Sequence, residues 1–254
     1  MKNYKIVLSY DGTDYSGWQR QADKRTIQGL VEDAVERLAG KKIAVHGAGR
    51  TDAGVHALGQ TAGFKAALRL GEAELLKALN GILPRDVRVL SVTTVLAAFH
   101  ARKSAVGKVY QYRIVTTPIV SPFDLRYVYH WTYPYDARLM KKAAALFVRE
   151  GDFTGFSSNQ DRSPVRHVTR SELRRKGGEL IYTIEANGFL RYMVRTIVGT
   201  ILEVGRGRLP LDEIEATFAR KMRSLGSPTA PARGLCLIEV KYDFDFFKIS
   251  DLPL

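Results

Sequence analysis

Nine residues, Gly49-Arg50-Thr51-Asp52-Ala53-Gly54-Val55-His56-Ala57, hold one carboxylate two positions after a guanidinium and between two glycines. Glycines at that spacing imply backbone conformations or close approaches that a side chain would obstruct. A lone acid on a tight turn beside a cation, here Asp52 beside Arg50, is a common way to present a nucleophile or general base. A plainer reading competes with it, because most aspartates in glycine-rich turns only hydrogen-bond their own backbone. Strand-like runs at 42–48 and 59–65 flank the segment, so it reads as a connection.

Other residues able to do chemistry are fewer. Arg195 lies among Met193, Ile197, Val198, Ile201 and Leu202, a helical apolar pattern that implies partial burial, with Arg191 one turn earlier. Tyr110 and Tyr112 alternate within a strand-like run and so share a face. The five histidines, 46, 56, 100, 130 and 167, show no ligand spacing, and no metal is expected. Cys236, the single cysteine, permits no internal disulfide and sits in Leu235-Cys236-Leu237-Ile238, where it reads as a small buried core residue. Gly47-Ala48-Gly49 leads to a strand instead of a helix, which argues against a dinucleotide loop. Asp11 and Asp14 near Gly12 lack the twelve-residue calcium-loop spacing.

The elements that must position these residues follow from periodicity. Thr26 caps an amphipathic helix over 27–38, with Ile27, Leu30, Val31, Ala34, Val35 and Leu38 in one stripe. A second helix is expected over 71–79, and strands over 7–10, 87–96 and 108–116. Pro118 and Pro122 mark a loop, and a boundary near residue 105 divides an N-terminal half, 1–105, from a C-terminal half, 106–254. The second half repeats the order: strand 127–132, helix 136–148, strands 165–175 and 180–187, helix 191–204, and a last strand 235–243. Strands outnumber crossovers, which predicts an α+β protein with a mostly antiparallel mixed sheet, helices on one face and two pseudo-repeated, ferredoxin-like halves.

At 254 residues and 45% hydrophobic content, the chain can bury a substantial core. No stretch approaches membrane-spanning length, and Met1 to Tyr10 alternates like a strand, so a cytoplasmic protein is expected. The formal net charge is +13, and residues 101–208 carry +10 of it, with Arg162, Arg166, Arg170, Arg174, Arg175 and Lys176 crowded together. Such concentration favours a surface that follows phosphates, with RNA as the expected partner.

The spelling of the Asp52 segment resembles the active-site motif of the tRNA pseudouridine synthase A (TruA) family. The resemblance extends to Tyr10-Asp11-Gly12-Thr13-Asp14-Tyr15-Ser16-Gly17-Trp18-Gln19, to Phe99-His100-Ala101-Arg102, and to Tyr110-Gln111-Tyr112. It continues through Asp152-Phe153-Thr154 with Phe156, Phe189 to Arg195, and Ala230 to Leu235. The resemblance implies a cofactor-independent isomerase whose active-site cleft lies between the halves. Its substrates would be uridines 38, 39 and 40 of the tRNA anticodon stem-loop, and two subunits would form a homodimer around one tRNA. It makes Asp52 the catalytic residue, a nucleophile at C1′ or C6 or else a base that takes a ribose proton, Arg195 its ionic partner, and Tyr110 the residue that contacts uracil and is a candidate acceptor of the C5 proton. Arg50 matches the arginine associated with base flipping, while His56, Phe99, His100 and Arg102 shape the substrate cleft. Arg162, Arg166, Arg174, Arg175 and Lys176 are expected to contact the RNA backbone. Ser157-Ser158 and Arg233 depart from the family pattern, which touches only local RNA contacts. The rivals are a non-catalytic tRNA-binding chaperone of the same fold and, more weakly, a phosphate-transferring enzyme, which the missing Walker-type loop and acidic metal cluster disfavour.

Overall fold

The computed structural model describes residues 1–158 and 163–243. Two compact units emerge: Met1–Val106 together with the C-terminal segment from Leu237, and Gly107–Cys236.

The first unit runs β1 (Lys2–Tyr10), α1 (Ile27–Ala39), β2 (His46–Gly47), β3 (His56–Ala66), α2 (Glu72–Ile82) and β4 (Val87–Val95), a β-α-β-β-α-β order. β1 lies between β4 and β3, antiparallel to both, and β2 pairs with β3. Alternation puts Tyr4, Ile6, Leu8 and Tyr10 on the buried face of β1. Thr26 caps α1 by accepting from the Gly29 N–H at 3.3 Å, and Gly40, left-handed at φ 67°, ends it. α2 starts after Gly71, whose N–H donates to Glu74 at 2.8 Å, and it packs on β4 and α1. On the other sheet face Phe99 joins Val95, Ala101 and Tyr242 in a small apolar cluster.

The second unit contains β5 (Ala105–Val115), β6 (Tyr129–His130), α3 (Ala137–Ala145), β7 (Glu150–Asp152), β8 (Val165–Lys176), β9 (Glu179–Ala186), α4 (Met193–Gly205) and α5 (Glu213–Arg220). Its strands are ordered β5-β9-β8-β7, all antiparallel, while β6 joins β5 in parallel. β8 and β9 turn through Gly177-Gly178, with Gly177 at φ 58°. Asp136 caps α3 through the Arg138 and Leu139 amides, and α3 packs on β8 and α4. The last strand, β10 (Leu235–Tyr242), carries the chain back to the first unit, beside β3. The protein is thus α+β with a mixed, mostly antiparallel sheet.

Several expected elements differ in extent. The runs at 42–48 and 127–132 hold only two-residue strands, because neither has a partner along its length. The helix expected from Arg191 begins at Met193, since Tyr192 is left-handed at φ 61° and leaves Arg191 outside. Cys236 is half-buried, contrary to the buried core position expected; strand alternation turns it away from the side that buries Leu235 and Leu237.

Phe147, Phe153, Phe156 and Phe218 form a ring cluster that ties α5 to the chain before β8, with Phe156 and Phe218 centroids 4.8 Å apart. Phe156 is fully buried, so Phe156→Ala leaves a cavity that its three aromatic neighbours cannot fill. The expected loss is about 3–5 kcal/mol, read as a lower midpoint in urea with an unchanged slope.

Candidate active site

The Asp52 turn is built in the first unit, between β2 and β3. Its entry is held where the Ala48 N–H donates to Thr61 O at 2.7 Å and the fully buried Gln60 amide donates to Gly49 O at 3.0 Å. Val55 N–H closes the turn onto Asp52 O at 3.1 Å, with Gly54 at φ 77° in its third position, where a type II turn requires glycine. Asp52 itself is half-buried, whereas Thr51 and Val55 on either side point into the core. Asp52 therefore sits on a turn whose neighbours are anchored below it.

The anchor is the loop that follows β1. Trp18 N–H donates to Thr51 O at 3.1 Å, and Gly54 N–H donates to Tyr15 O at 3.3 Å. The Tyr10 hydroxyl and Thr51 Oγ1 are 2.9 Å apart, both buried. The two backbones lie so close that a Cβ on Gly17 would stand 2.5 Å from Thr51 O, and one on Gly12 2.0 Å from Val55 O. Gly17 also sits at φ 88°, closed to ordinary side chains. Gly47 leaves room for the buried Trp18 ring, which would lie 2.4 Å from a Cβ there. Tyr10, Gly12, Gly17 and Trp18 were not among the expected site residues. Their sequence signal is a pair of glycines amid aromatics, legible only once the loop's contact is known.

The remaining residues of this unit divide by role. Arg50 is exposed, and its Nε donates to Gln19 Oε1 at 3.1 Å, so the N-terminal loop also steadies the guanidinium. His56 Nδ1 accepts the Gly12 N–H at 3.1 Å and lies 3.2 Å from Asp11 Oδ1. His56 thus ties the loop to β3. Phe99 packs on Tyr242, with centroids 5.2 Å apart. His100 stacks on His46 at 5.3 Å, and its pKa is lowered by burial first, then by His46 and the charges of Lys103 and Arg102. Arg102 is exposed.

In the second unit Tyr110, buried on β5, meets Phe189 edge-on at 5.1 Å. Tyr112, two residues on, donates to Pro231 O at 2.7 Å, and burial pushes its hydroxyl pKa well up. Arg195 and Glu203 are the two residues of α4 that are not buried. Arg195 Nε donates to Ala230 O at 2.7 Å, and its guanidinium lies over the Tyr192 ring at 5.0 Å. Ala230 N–H returns a bond to Arg195 O at 3.0 Å, so one short segment fixes both this arginine and Tyr112.

The structure does not gather the expected basic residues on one face. A register shift between Val168 and Arg170 reverses the alternation of β8. Arg174 and Arg170 then flank Glu172 and both pair with it, while Arg175 lies on the opposite strand face and donates to Gly177 O. Arg166 is half-buried and bonds the carbonyls of Ser163 and Val165; Lys176 is exposed; Arg162 lies outside the described residues. Among the described residues, no three His, Cys, Asp or Glu side chains are grouped to hold a metal.

Residues 6–102 and 143–243 match the family model described as tRNA pseudouridine synthase. The chain is 41% identical over 254 residues to tRNA pseudouridine synthase A of Thermodesulfovibrio yellowstonii, covering 95% of this chain and 100% of that one. It is 43% identical over 250 residues to the enzyme of the same name from Limosilactobacillus fermentum, covering 96% and 97%. Identity to tRNA pseudouridine synthase A 1 of Desulfotalea psychrophila is 40% over 251 residues, covering 95% and 100%.

Gly17 gives the local geometry its sharpest test. Gly17→Ala must displace either its own backbone or the Thr51 carbonyl. Amide exchange at Trp18, Gly54 and Val55 should accelerate by about tenfold or more, with the far strands β8 and β9 unaffected. Unchanged exchange at those three amides would mean that the loop does not hold the turn.

Proposed function

This chain belongs to the tRNA pseudouridine synthase family, and from that membership we propose that Asp52 is the carboxylate that converts uridines 38, 39 and 40 of the tRNA anticodon stem-loop to pseudouridine. The protein is a tRNA pseudouridine synthase, an isomerase. The reaction breaks the N1–C1′ bond of uridine, turns the uracil over and joins C5 to C1′; C5 gives up a proton and N1 gains one. Substrate and product have the same atoms and oxidation level. What the reaction demands is a positioned carboxylate and a surface that holds the detached base.

One observation carries the assignment. Asp52 is a half-buried acid on a turn whose flanking residues are buried and whose backbone is bonded to a second loop. An ordinary solvent turn needs no such support. Fixed placement is what a group acting at C1′ requires, because even small displacements are costly in rate. Arg50, exposed and steadied by Gln19, suits insertion into the stack vacated by a flipped base. Tyr110 is proposed as the uracil contact, and Arg195 as a further member of the catalytic set. Family likeness supports two subunits acting together. The large apolar side chains Ile119 and Phe123, 84% and 87% exposed between β5 and β6, are consistent with a covered surface. No helix among the described residues is long and apolar enough to cross a membrane, and a cytoplasmic setting is proposed.

Asp52→Asn keeps the shape and removes the reactive charge. Isomerisation should fall below detection while tRNA affinity stays within several-fold. Pseudouridine formed by a pure Asp52→Asn preparation would overturn the assignment.

RNA backbone contact by the β8–β9 hairpin gives a separate prediction. Arg175→Gln combined with Lys176→Gln should flatten the slope of log affinity against log salt by on the order of one to two units. Arg174 is the poorer probe, since Glu172 already offsets its charge. An unchanged slope would place the RNA-binding surface elsewhere.

A further inference from the structure

Thr51 comes immediately before the proposed catalytic carboxylate, and two interactions immobilise it. Its carbonyl accepts from Trp18 N–H at 3.1 Å, and its side-chain oxygen lies 2.9 Å from the Tyr10 hydroxyl. Both side chains are buried, Thr51 6% and Tyr10 4% exposed. Tyr10 is the last residue of β1, and an irregularity between Leu8 and Tyr10 shifts the pairing so that Tyr10 stands opposite Ala57, at the exit of the turn. Its ring lies beside the Trp18 indole at 6.4 Å, within the same packed layer. The phenol is therefore a rigid post, fixed by the sheet at one end and bonded to the turn at the other.

The turn's own closing bond, Val55 N–H to Asp52 O, acts after the carboxylate, and the Gln60 bond to Gly49 O acts three residues before it. Between those points the Thr51 hydroxyl is a side-chain anchor on the residue next to Asp52. Rotation of Thr51 about its backbone would carry the Asp52 Cα with it, and a buried hydroxyl stripped of its partner gives a reason for such rotation.

We propose that Tyr10 and Thr51 are positioning residues for catalysis: their buried hydroxyl pair sets the direction in which Asp52 presents its carboxylate to the uridine. The inference rests on Asp52 being the reactive group. Neither hydroxyl takes part in the chemistry. The pair affects the rate of the chemical step through the turn, and leaves tRNA binding alone.

The experiment compares Thr51→Val, which keeps the shape and loses the hydroxyl, with Thr51→Ser, which keeps the hydroxyl. Tyr10→Phe and the double variant Tyr10→Phe/Thr51→Val complete the set, with single-turnover rate, tRNA affinity and thermal midpoint measured for each. Thr51→Val and Tyr10→Phe should each slow the single-turnover step about tenfold or more, with tRNA affinity within about twofold. Thr51→Ser should stay within about threefold of the parent rate, and the double variant should be no slower than either single one, because both remove the same interaction. Thr51→Val at full rate, or Thr51→Ser as slow as Thr51→Val, overturns the proposal. So does a loss seen only in affinity or only in thermal midpoint. Should Thr51→Val fold poorly, Tyr10→Phe, which removes a single oxygen, decides by the same criteria. Asp52→Asn run beside them separates the two levels: activity in Asp52→Asn overturns the catalytic reading itself. An inactive Asp52→Asn with a fully active Thr51→Val and Tyr10→Phe overturns only the positioning role.

Discussion

The contact between two backbones, the loop after β1 and the turn bearing Asp52, constrains the first unit more than any side-chain interaction does. Peptide groups approach there without intervening Cβ atoms, since Gly12 and Gly17 face the carbonyls of Val55 and Thr51. Such approach lets amides donate directly, Trp18 to Thr51 and Gly54 to Tyr15, so the two segments behave almost as paired strands. A Cβ at either position would stand too close to the facing carbonyl, so one backbone or the other would have to shift. The geometry also explains why aromatics cluster nearby. Trp18, Tyr10 and Tyr15 fill the layer beneath the contact and keep water from competing for its amides.

The second unit meets a comparable demand with different means. Its arginine sits on a helix that is otherwise nearly all buried, so the helix cannot shift without disturbing the core. The segment 228–234 lies against that helix closely enough that a Cβ on Gly199 would stand 1.8 Å from Pro228 O. From there it receives Arg195 Nε on Ala230 O and the Tyr112 hydroxyl on Pro231 O. Gly234 makes room for the Tyr112 ring itself. Backbone carbonyls, which cannot change charge, thus hold both side chains in place.

Much of this was legible in the sequence where the signal is local. Thr26 before an apolar stripe foretold α1, and the alternation around Tyr110 and Tyr112 foretold β5, because caps and periodicity are properties of short windows. The Asp52 turn was legible for the same reason, from its glycine spacing. β7 and α5 went unread: the first is three residues long, and α5 is secured by Phe218 inserting among phenylalanines more than sixty residues earlier. The run at 42–48 looked like a strand by composition, yet only His46 and Gly47 pair with β3 as strand residues. The basic cluster was legible from composition, but not which strand face each residue takes, since one extra residue at the β8 bulge reverses every later side chain. Nothing in the spelling of Tyr10 to Gln19 says what those glycines approach, because the answer lies over thirty residues away.

The loop that braces Asp52 must itself be anchored, and the anchor is electrostatic. The Tyr15 hydroxyl donates to Asp86 Oδ1 at 2.8 Å, just before β4, and Asp11 N–H bonds the Asp86 carbonyl at 3.0 Å. Arg25 lies over the Tyr15 ring at 4.5 Å, with its guanidinium 3.7 Å from the same carboxylate. Burial raises the pKa of the Tyr15 phenol, and its bond to Asp86 raises it further. The phenol therefore stays protonated and keeps its proton for the bond to Asp86 across the range in which an enzyme works. Tyr15 also carries the carbonyl that receives Gly54 N–H, so a fixed phenol means a fixed acceptor for the turn. Placement of Asp52 thus descends from a second carboxylate, Asp86, through one tyrosine, to the backbone beside Asp52.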